Sequence, residues 1–204
     1  KFPNGKNMLI DAGSDFNNTP DFSLIPFLKH AGINYIDAIV ISHLHRDHYG
    51  GLLAVIDMLP IGGVYIGTVH SSVDPLWQAY TQALNQNNIP VYHIDQNDTL
   101  KGFGEAQVTV LSPNPSLISD ENNNSVVLSL HYGSQSMLFT GDIERESERA
   151  LIQQNLVSRH TILKAGHHGS KTSSTHEFLS IIQPQVTLIS AGRNRLYKHP
   201  SKET

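Results

Sequence analysis

The sequence predicts an α/β fold in which sheets pack together, helices lie outside them, and a functional site forms at one edge of the sheets. Three observations support this prediction. Each half of the 204 residues runs through strand patterns and then helix patterns. Residue types that bind metal ions fall repeatedly just after a predicted strand, where connecting loops converge. Hydrophobic residues make up 39% of the chain, which is enough for the core of one large domain spanning residues 1–204.

The elements of the first half follow from turn signals and apolar periodicity. A turn at 3–5 leads into an apolar strand at 8–13, so the sequence is expected to begin inside a hairpin. A helix is expected to begin near Thr19-Pro20 and to end at Gly32, with Leu24, Ile25, Phe27 and Leu28 on its apolar face. Further predicted elements are a buried strand at 36–41, a helix at 52–59, a strand at 63–67, a helix at 75–86 with an aromatic core face, and a strand at 91–94.

The second half is predicted to contain five strands and two helices. The strands lie at 106–111, 125–132, 137–140, 162–163 and 186–190. Gly133-Ser134 forms the hairpin turn between the second and third of them. A helix at 144–155 is expected to carry charge on its outer face. Ser174 and Glu177 form a capping box for a helix that runs through Ile182.

The composition excludes several classes of function. The formal net charge is −4, so no global basic field captures nucleic acid, and any phosphate-binding site must be local. The chain has no cysteine, which excludes disulfides, cysteine zinc sites and thiol catalysis. No apolar run approaches the roughly 18 to 20 residues needed to cross a bilayer, so we expect no membrane segment.

Four potential metal ligands lie within six residues, directly after a predicted buried strand. On an extended backbone His43 and His45 point the same way, so both imidazoles can reach one ion. Asp47 and His48 lie where the chain turns into the next helix, and they can face a second ion. The spacing therefore predicts two ligand pairs. Asp11, at the end of the first strand, is either a turn former or a support that hydrogen-bonds to a ligand histidine.

A dinuclear site also needs a bridging ligand, and the strand-end carboxylate of Asp142 has the charge and reach for that role. Either His167 or His168 can complete the second ion. All of these ligands offer nitrogen or oxygen, so two Zn²⁺ ions are the default expectation, and Mn²⁺ or Fe²⁺ is chemically acceptable. Two such ions can hold a bridging hydroxide as nucleophile and clamp a phosphoryl oxygen. The sequence contains no G-x-S-x-G, P-loop or dinucleotide-binding pattern that would point to another chemistry.

Other polar residues near these ligands are candidates for catalysis. Glu144 can orient water or shuttle a proton, or it can cap the following helix. His199 lies in a basic segment that suits an anion pocket, together with Arg193, Asn194, Arg195 and Lys198. Additional donors are Arg46, Ser170, Lys171 and Thr172. The candidate catalytic residues are Asp47, Glu144, His168 and His199. The histidines expected to be structural are His30, His70, His93, His131, His160 and His176.

These motifs resemble known families. His43 to His48, with the strand-end Asp142, resemble the metallo-β-lactamase superfamily, and the resemblance extends from Leu9 to His199. It implies an αββα sandwich of two packed mixed sheets with helices outside. The segments at 122–128, 139–144, 163–170, 194 and 197–200 are similar to the C-terminal extracytoplasmic domain of ComEC-type competence proteins, which are DNA-uptake channels. Two of these segments are also similar to bacterial phosphorylcholine esterases.

The resemblance implies phosphoester hydrolysis, with DNA as the substrate degraded during uptake and a membrane channel as the parent protein. It also implies an extracytoplasmic location, while the residues alone leave cytoplasmic and secreted locations open. Relative to the family pattern, the first and last strands of the domain are expected to be missing from this sequence. Many superfamily enzymes have a third histidine for the first ion, and here that region is Asn122 to Ser125.

Two other functions are compatible with the sequence. The acidic net charge and the His-His-Gly segment also suit a hydrolase of small substrates, of the phosphorylcholine esterase or lactonase type. The missing third histidine suits a non-catalytic module of a channel that a metal ion stabilises. Substrate, cleavage polarity, metal identity and oligomeric state do not follow from the residues.

Overall fold

The structure is a computed structural model that describes residues 1–13, 23–68, 75–114, 116, 120–192 and 198–202. The chain divides into two compact units, Lys1–Ile94 and Asp95–Thr204. The described strands form one sheet of four strands in the first unit and one of six strands in the second. The predicted α/β fold with two sheets is therefore confirmed. The prediction of one domain over residues 1–204 stays a prediction.

The first unit alternates strands and helices. Its elements are β1 (Met8–Ile10), α1 (Ile25–His30), β2 (Ala38–Ile41), α2 (Arg46–Tyr49), α3 (Leu52–Met58), β3 (Val64–Gly67), α4 (Pro75–Gln86) and β4 (Val91–Ile94). The sheet has the order β1-β2-β3-β4, and all of its described pairings are parallel. The resemblance had implied a mixed sheet, but the described part of this sheet is entirely parallel. The reason is that each described strand joins the next through a connection that contains a helix, which returns the chain to the same end of the sheet.

The core of the first unit surrounds β2. All four residues of β2 are buried, which is typical of a parallel strand covered on both faces. The aromatic stripe of α4 is buried as predicted, and the ring of Tyr49 lies 5.2 Å from that of Trp77 and 4.9 Å from that of Tyr80. Phe27 was predicted to lie on the apolar face of α1, but it is 63% exposed, so that part of the prediction is wrong. The predicted helix start at Thr19-Pro20 lies outside the described residues.

The second unit has a mixed sheet, as predicted. Its elements are β5 (Thr99–Leu100), β6 (Gln107–Ser112), β7 (Val127–Tyr132), β8 (Gln135–Phe139), α5 (Arg145–Gln153), β9 (Ile162–Lys164), a 3-10 turn (Gly166–Gly169), α6 (His176–Ile182) and β10 (Val186–Leu188). Strands β5 to β8 pair antiparallel, whereas β8, β9 and β10 pair parallel. The parallel part arises where α5 and α6 connect the strands.

One prediction about the helices of this unit is wrong, and another holds with one exception. The residue that caps α6 is Thr175, whose Oγ1 accepts from the backbone N–H of Phe178 at 3.3 Å, so the predicted capping box of Ser174 and Glu177 does not form. The helix begins one residue later than predicted, because Ser174 has a positive φ of 56°. On α5, the charged side chains of Arg145, Glu146 and Arg149 are exposed, as predicted for its outer face, but Glu148 does not lie on that face. It is buried, and it accepts hydrogen bonds from the segment before α6.

His160 is a structural histidine, as predicted. It is 2% exposed, its Nδ1 lies 2.8 Å from the carbonyl oxygen of Ser158, and its Nε2 lies 2.8 Å from Oγ of Ser129. Nδ1–H therefore donates to the carbonyl, and the hydroxyl of Ser129 donates to Nε2. Both ring nitrogens are satisfied by a neutral imidazole. Burial lowers the pKa of His160, and the nearby His131 lowers it further.

We expect His160 to make this protein less stable in mild acid. Because the pKa of His160 is lowered in the folded state, its contribution to the free energy of unfolding is present above its unfolded pKa of about 6.5, and is lost as the pH falls through the folded pKa. His160→Gln should cost about 1 to 3 kcal/mol at pH 8, since it disturbs two buried hydrogen bonds. It should also flatten the decline in stability from pH 8 to pH 5.5, measured by urea unfolding.

The matched control is His176→Gln, which replaces an exposed histidine of the same unit. This variant should keep both the stability of the wild type and its full decline with falling pH. An equal decline in the His160→Gln variant and the wild type would contradict the assignment.

The longest described helix, α4, has 12 residues, so none of the described helices reaches the length needed to cross a bilayer.

Candidate metal centre

The first set of candidate ligands follows β2. The strand ends at Ile41, the chain bends, and His45 has an extended backbone immediately before α2 begins. The rings of His43 and His45 meet, with 4.6 Å between their centroids and 2.9 Å between Nε2 of His43 and Nδ1 of His45. The predicted convergence of these two imidazoles is therefore present, although a bend rather than a regular strand produces it.

His48 and Asp47 lie on α2, where the chain turns towards α3. Nε2 of His48 lies 3.8 Å from Oδ2 of Asp47. The ring of His48 also lies 4.1 Å from that of His43, which is closer than the ring of His45. The four residues thus form one continuous cluster in the first unit, and the predicted division into two separate pairs is not visible in their packing.

Asp11 supports this cluster from the end of β1. Its carboxylate lies 2.8 Å from Nδ1 of His48, and it accepts hydrogen bonds from the backbone N–H and the hydroxyl of Ser42. With φ of 58°, Asp11 also turns the chain, so both predicted interpretations apply. A carboxylate on Nδ1 fixes the tautomer of an imidazole and leaves Nε2 as the ligand atom. Ser42 had no predicted role. It holds the carboxylate of Asp11 in place through two hydrogen bonds, and no sequence signal indicated this contact.

The second set of candidate ligands follows β8 and β9. Asp142 is 2% exposed, and Oδ2 of its carboxylate lies 3.4 Å from Nε2 of His168 and 4.0 Å from Nε2 of His167. Two ligand atoms of one tetrahedral zinc ion, at bond lengths near 2.0 to 2.1 Å, lie about 3.3 Å apart. The distance from Oδ2 of Asp142 to Nε2 of His168 matches that value, whereas the distance to Nε2 of His167 is too long. Between the two predicted alternatives, the geometry favours His168.

An unusual backbone presents the two histidines. His167 has φ of 46° and His168 has φ of 55°, so both have left-handed conformations inside the 3-10 turn. Nδ1 of His168 donates to the carbonyl oxygen of Ser190 at 2.8 Å, and Nδ1 of His167 lies 2.9 Å from Oε1 of Glu144. In each case an oxygen holds Nδ1 and the other nitrogen is directed to Asp142.

Glu144 has a role that neither predicted interpretation includes. It stands at the N-cap position of α5, but its side chain makes no capping hydrogen bond, so the alternative in which this carboxylate caps the helix is not supported. Oε1 instead accepts from Oγ1 of Thr172 at 2.8 Å and contacts His167. The backbone N–H of Glu144 donates to Oδ1 of Asn123 at 2.9 Å, which anchors the turn after Asp142. Glu144 therefore orients His167.

His199 lies beside the second set. Its ring centroid is 5.7 Å from that of His167. Burial lowers the pKa of His199, the neighbouring histidines lower it further, and Asp142 opposes them. The backbone N–H of Ser201 donates a hydrogen bond to the carbonyl oxygen of Gly169. A Cβ atom at position 169 would lie only 2.8 Å from Cβ of Pro200, so the close approach of these two segments requires glycine there. The predicted anion-pocket residues Arg193, Asn194 and Arg195 lie outside the described residues.

The donor chemistry of both sets suits a divalent cation. All donors are imidazole nitrogens or carboxylate oxygens, which zinc, manganese and iron accept. In His48, His167 and His168 an oxygen holds Nδ1, which is the arrangement usual for metal-ligating histidines. The residues present therefore fit metal ions.

Comparisons with known proteins identify the family. A family model described as the metallo-beta-lactamase superfamily matches residues 2–193. ComE operon protein 3 from Bacillus subtilis (strain 168) is 33% identical over 180 residues, which cover 88% of this chain and 23% of that protein. Competence protein ComA from Neisseria gonorrhoeae is 29% identical over 206 residues, which cover 97% of this chain and 26% of that protein. The chain thus spans about a quarter of the length of these relatives.

Solved structures agree on the fold. The short form of human tRNase Z matches with a TM-score of 0.55 at 14% identity, over 89% of this chain and 82% of that chain. At this identity the likeness concerns the fold alone. Members of the family bind divalent metal ions, often two. Because the family model covers nearly all of the sequence, this chain belongs to the metallo-beta-lactamase superfamily of metal-binding hydrolases, and its relatives include competence proteins of the ComEC type.

Proposed function

We propose that this chain is a metal-dependent phosphodiesterase that degrades DNA during competence-type DNA uptake. The observation that carries the proposal is the pair of Asp142 and His168, whose ligand atoms lie 3.4 Å apart while a backbone carbonyl holds Nδ1 of the imidazole. A buried carboxylate beside an oriented imidazole suits a divalent ion, and phosphoryl transfer is a reaction that paired divalent ions assist. The competence proteins among the relatives support DNA as the substrate.

Two divalent ions, Zn²⁺ by default and Mn²⁺ as the alternative, are proposed as cofactors. We assign the first ion to His43, His45 and Asp142. We assign the second ion to Asp47, His48, Asp142 and His168, with His167 as the alternative to His168. When bound, the ions polarise a phosphoryl oxygen and make water more acidic.

Asn122 bears on the missing third histidine. It stands in the segment where many superfamily enzymes are expected to carry that ligand. Its Oδ1 is buried and has no hydrogen-bond partner among the described residues. Such an orphaned acceptor normally needs a partner, because burial without one costs free energy. A metal ion could be that partner, so the buried Oδ1 supports the proposal that Asn122 is one of the ligands of the first ion.

The remaining candidate residues act on the ligands or on the substrate. Glu144 is a positioning residue, because its carboxylate holds Nδ1 of His167 and the hydroxyl of Thr172. His199, beside His167, is proposed to donate a hydrogen bond to a phosphoryl oxygen. Asp47 has a side chain that is 48% exposed, so we propose that it accepts a proton from the attacking water in addition to its ligand role.

The proposed setting follows the relatives. DNA, single- or double-stranded, is the proposed substrate, and the parent protein is proposed to be a membrane channel whose extracytoplasmic part includes this chain. The net charge of −4 opposes a DNA-coating role, so the contacts with DNA must be local.

The test combines metal content with activity. Elemental analysis of the purified protein should find two ions per chain, and fluorescently labelled linear DNA should be cleaved in Mn²⁺ or Zn²⁺ but not in excess EDTA. The same protein is assayed on bis(p-nitrophenyl) phosphate, choline phosphoesters and lactones. Turnover of choline phosphoesters or lactones without DNA cleavage would replace the proposal with a small-substrate hydrolase. One ion that raises the melting temperature, with no turnover of any ester, would replace it with a non-catalytic module.

A further inference from the structure

The second unit has an open cleft that none of the proposed catalytic residues lines. Its volume is about 260 Å³. The residues that line it come from α5, from the loop after the 3-10 turn and from the start of α6: Arg145, Arg149, Lys171, Ser173, Ser174, Thr175, His176 and Glu177. We refer to it as the cationic cleft.

The cationic cleft has an excess of positive charge. Arg145, Arg149 and Lys171 are exposed, and none of these three side chains forms an ion pair or hydrogen bond within the described part of the chain. Glu177 is the carboxylate in the lining. Glu148 is not among the lining residues; its carboxylate accepts hydrogen bonds from Ser174 and Thr175, and it also interacts electrostatically with Arg145. The lining therefore holds three cations and one carboxylate, and the cations remain in excess when Glu148 is counted, although the whole chain has a net charge of −4.

The spacing of the cations suits phosphate. Arg145 and Arg149 are four residues apart on α5, so their side chains leave the same face of the helix. A guanidinium group donates two parallel hydrogen bonds to a phosphate and stays charged at any working pH. Lys171, in the loop between the 3-10 turn and α6, adds a third cation to the lining.

The cationic cleft adjoins the residues that orient His167. Arg145 directly follows Glu144, and its backbone N–H donates to the carbonyl oxygen of Thr172 at 3.0 Å. Lys171 directly precedes Thr172, whose hydroxyl donates to the carboxylate of Glu144. Two of the three cations are thus one residue away from the Glu144–Thr172 contact. A phosphate bound by them would be a near neighbour of a phosphodiester held at the ligand histidines.

We propose that the cationic cleft binds the phosphate backbone of a DNA strand beside the phosphodiester that is cleaved. This inference rests on the proposed function and extends it, since it assigns a subsite for the polymer. The cleft holds the strand by its phosphates, so its contribution to binding is independent of base sequence and falls with salt concentration. A polymeric substrate would benefit from it, whereas an isolated phosphoester would not reach it.

The experiment measures binding without metal, so that it does not depend on activity. Fluorescence anisotropy of a labelled 20-nucleotide oligo(dT) is recorded in EDTA over a range of salt concentrations. The double variant Arg145→Gln/Arg149→Gln should bind about tenfold more weakly at low salt. The slope of log K against log salt should fall by about 0.7 for each phosphate contact that is lost.

The control has the same change in charge elsewhere on the second unit. Lys101→Gln/Arg159→Gln removes two exposed cations that lie outside the cationic cleft. It should keep the affinity and salt slope of the wild type within about twofold. Equal losses in both double variants would show a diffuse electrostatic effect and overturn the proposal. Displacement of the oligonucleotide by submillimolar inorganic phosphate at constant ionic strength would also overturn it, because the cleft would then be a site for free phosphate.

Hydrolysis of bis(p-nitrophenyl) phosphate by the wild type separates this inference from the proposed function. If the wild type hydrolyses this ester and the Arg145→Gln/Arg149→Gln variant binds the oligonucleotide as tightly as the wild type does, the proposed DNA-binding role of the cleft is wrong and the proposed enzyme stands. A lower salt slope confined to the cleft variant, with no hydrolysis of any phosphodiester by the wild type, would support DNA binding at the cleft while contradicting the proposed enzyme.

Discussion

Replacement of Asp142 by asparagine is expected to lower the rate of metal-dependent phosphodiester hydrolysis by at least about a thousandfold, equivalent to roughly 4 kcal/mol. Asparagine has nearly the same shape as aspartate, and the backbone N–H of residue 142 can still donate to Oγ of Ser125. The change therefore removes the negative charge and little else. Hydrolysis is measured with linear DNA and with bis(p-nitrophenyl) phosphate, and elemental analysis should find fewer than two ions per chain.

The matched control is Asp57→Asn, which makes the same chemical change at an exposed position of α3. This variant should keep the rate and metal content of the wild type. The proposed bridging role of Asp142 would be wrong if Asp142→Asn kept two ions and more than about a tenth of the wild-type rate.

The largest expected loss of stability comes from Glu148→Ala, which should lower the free energy of unfolding by about 3 kcal/mol. The carboxylate of Glu148 is 1% exposed, and it accepts from the backbone N–H groups of Ser174 and Thr175 and from the hydroxyl of Thr175. Burial raises the pKa of Glu148, and these hydrogen bonds act in the opposite direction. Alanine would leave partly buried donors without an acceptor in the segment that begins α6.

Thermal unfolding measures this loss. For a chain of this size, about 3 kcal/mol should lower the melting temperature by roughly 6 to 12 °C. Glu146→Ala is the matched control, because Glu146 is exposed two residues earlier on the same helix and contributes only a weak interaction with the helix dipole. Equal melting temperatures of the two variants would show that the buried contact contributes no more than a surface charge.

Local signals explain what could be predicted from the sequence. The bounds of α4 are those predicted, because a strong apolar period lies between clear turn residues. The cluster of His43, His45 and His48 was predictable because its members lie within six residues, so local geometry brings them together. Strand β2 has continuous burial, which its uninterrupted apolar run indicated.

Contacts between distant segments explain what could not be predicted. Glu148 has the pattern of a surface residue on a charged helix, and the donors that make it a buried acceptor, Ser174 and Thr175, lie 26 and 27 positions later. Asp11 and His48 are 37 positions apart, so the sequence left open whether the carboxylate turns the chain or supports an imidazole. The cap of α6 depends on a single backbone angle at Ser174, and serine and threonine have similar capping preferences.

The left-handed backbone of His167 and His168 lowers the stability of the fold, but it places two imidazoles beside Asp142. A left-handed conformation costs a residue with a side chain about 1 to 2 kcal/mol, and glycine avoids that cost. Glycine at both positions would make this turn easier to form, but it would remove both imidazoles from Asp142. Folding of the second unit therefore holds two strained residues in place before any ion arrives. The rings are preorganised, and an ion that binds them has less disorder to overcome.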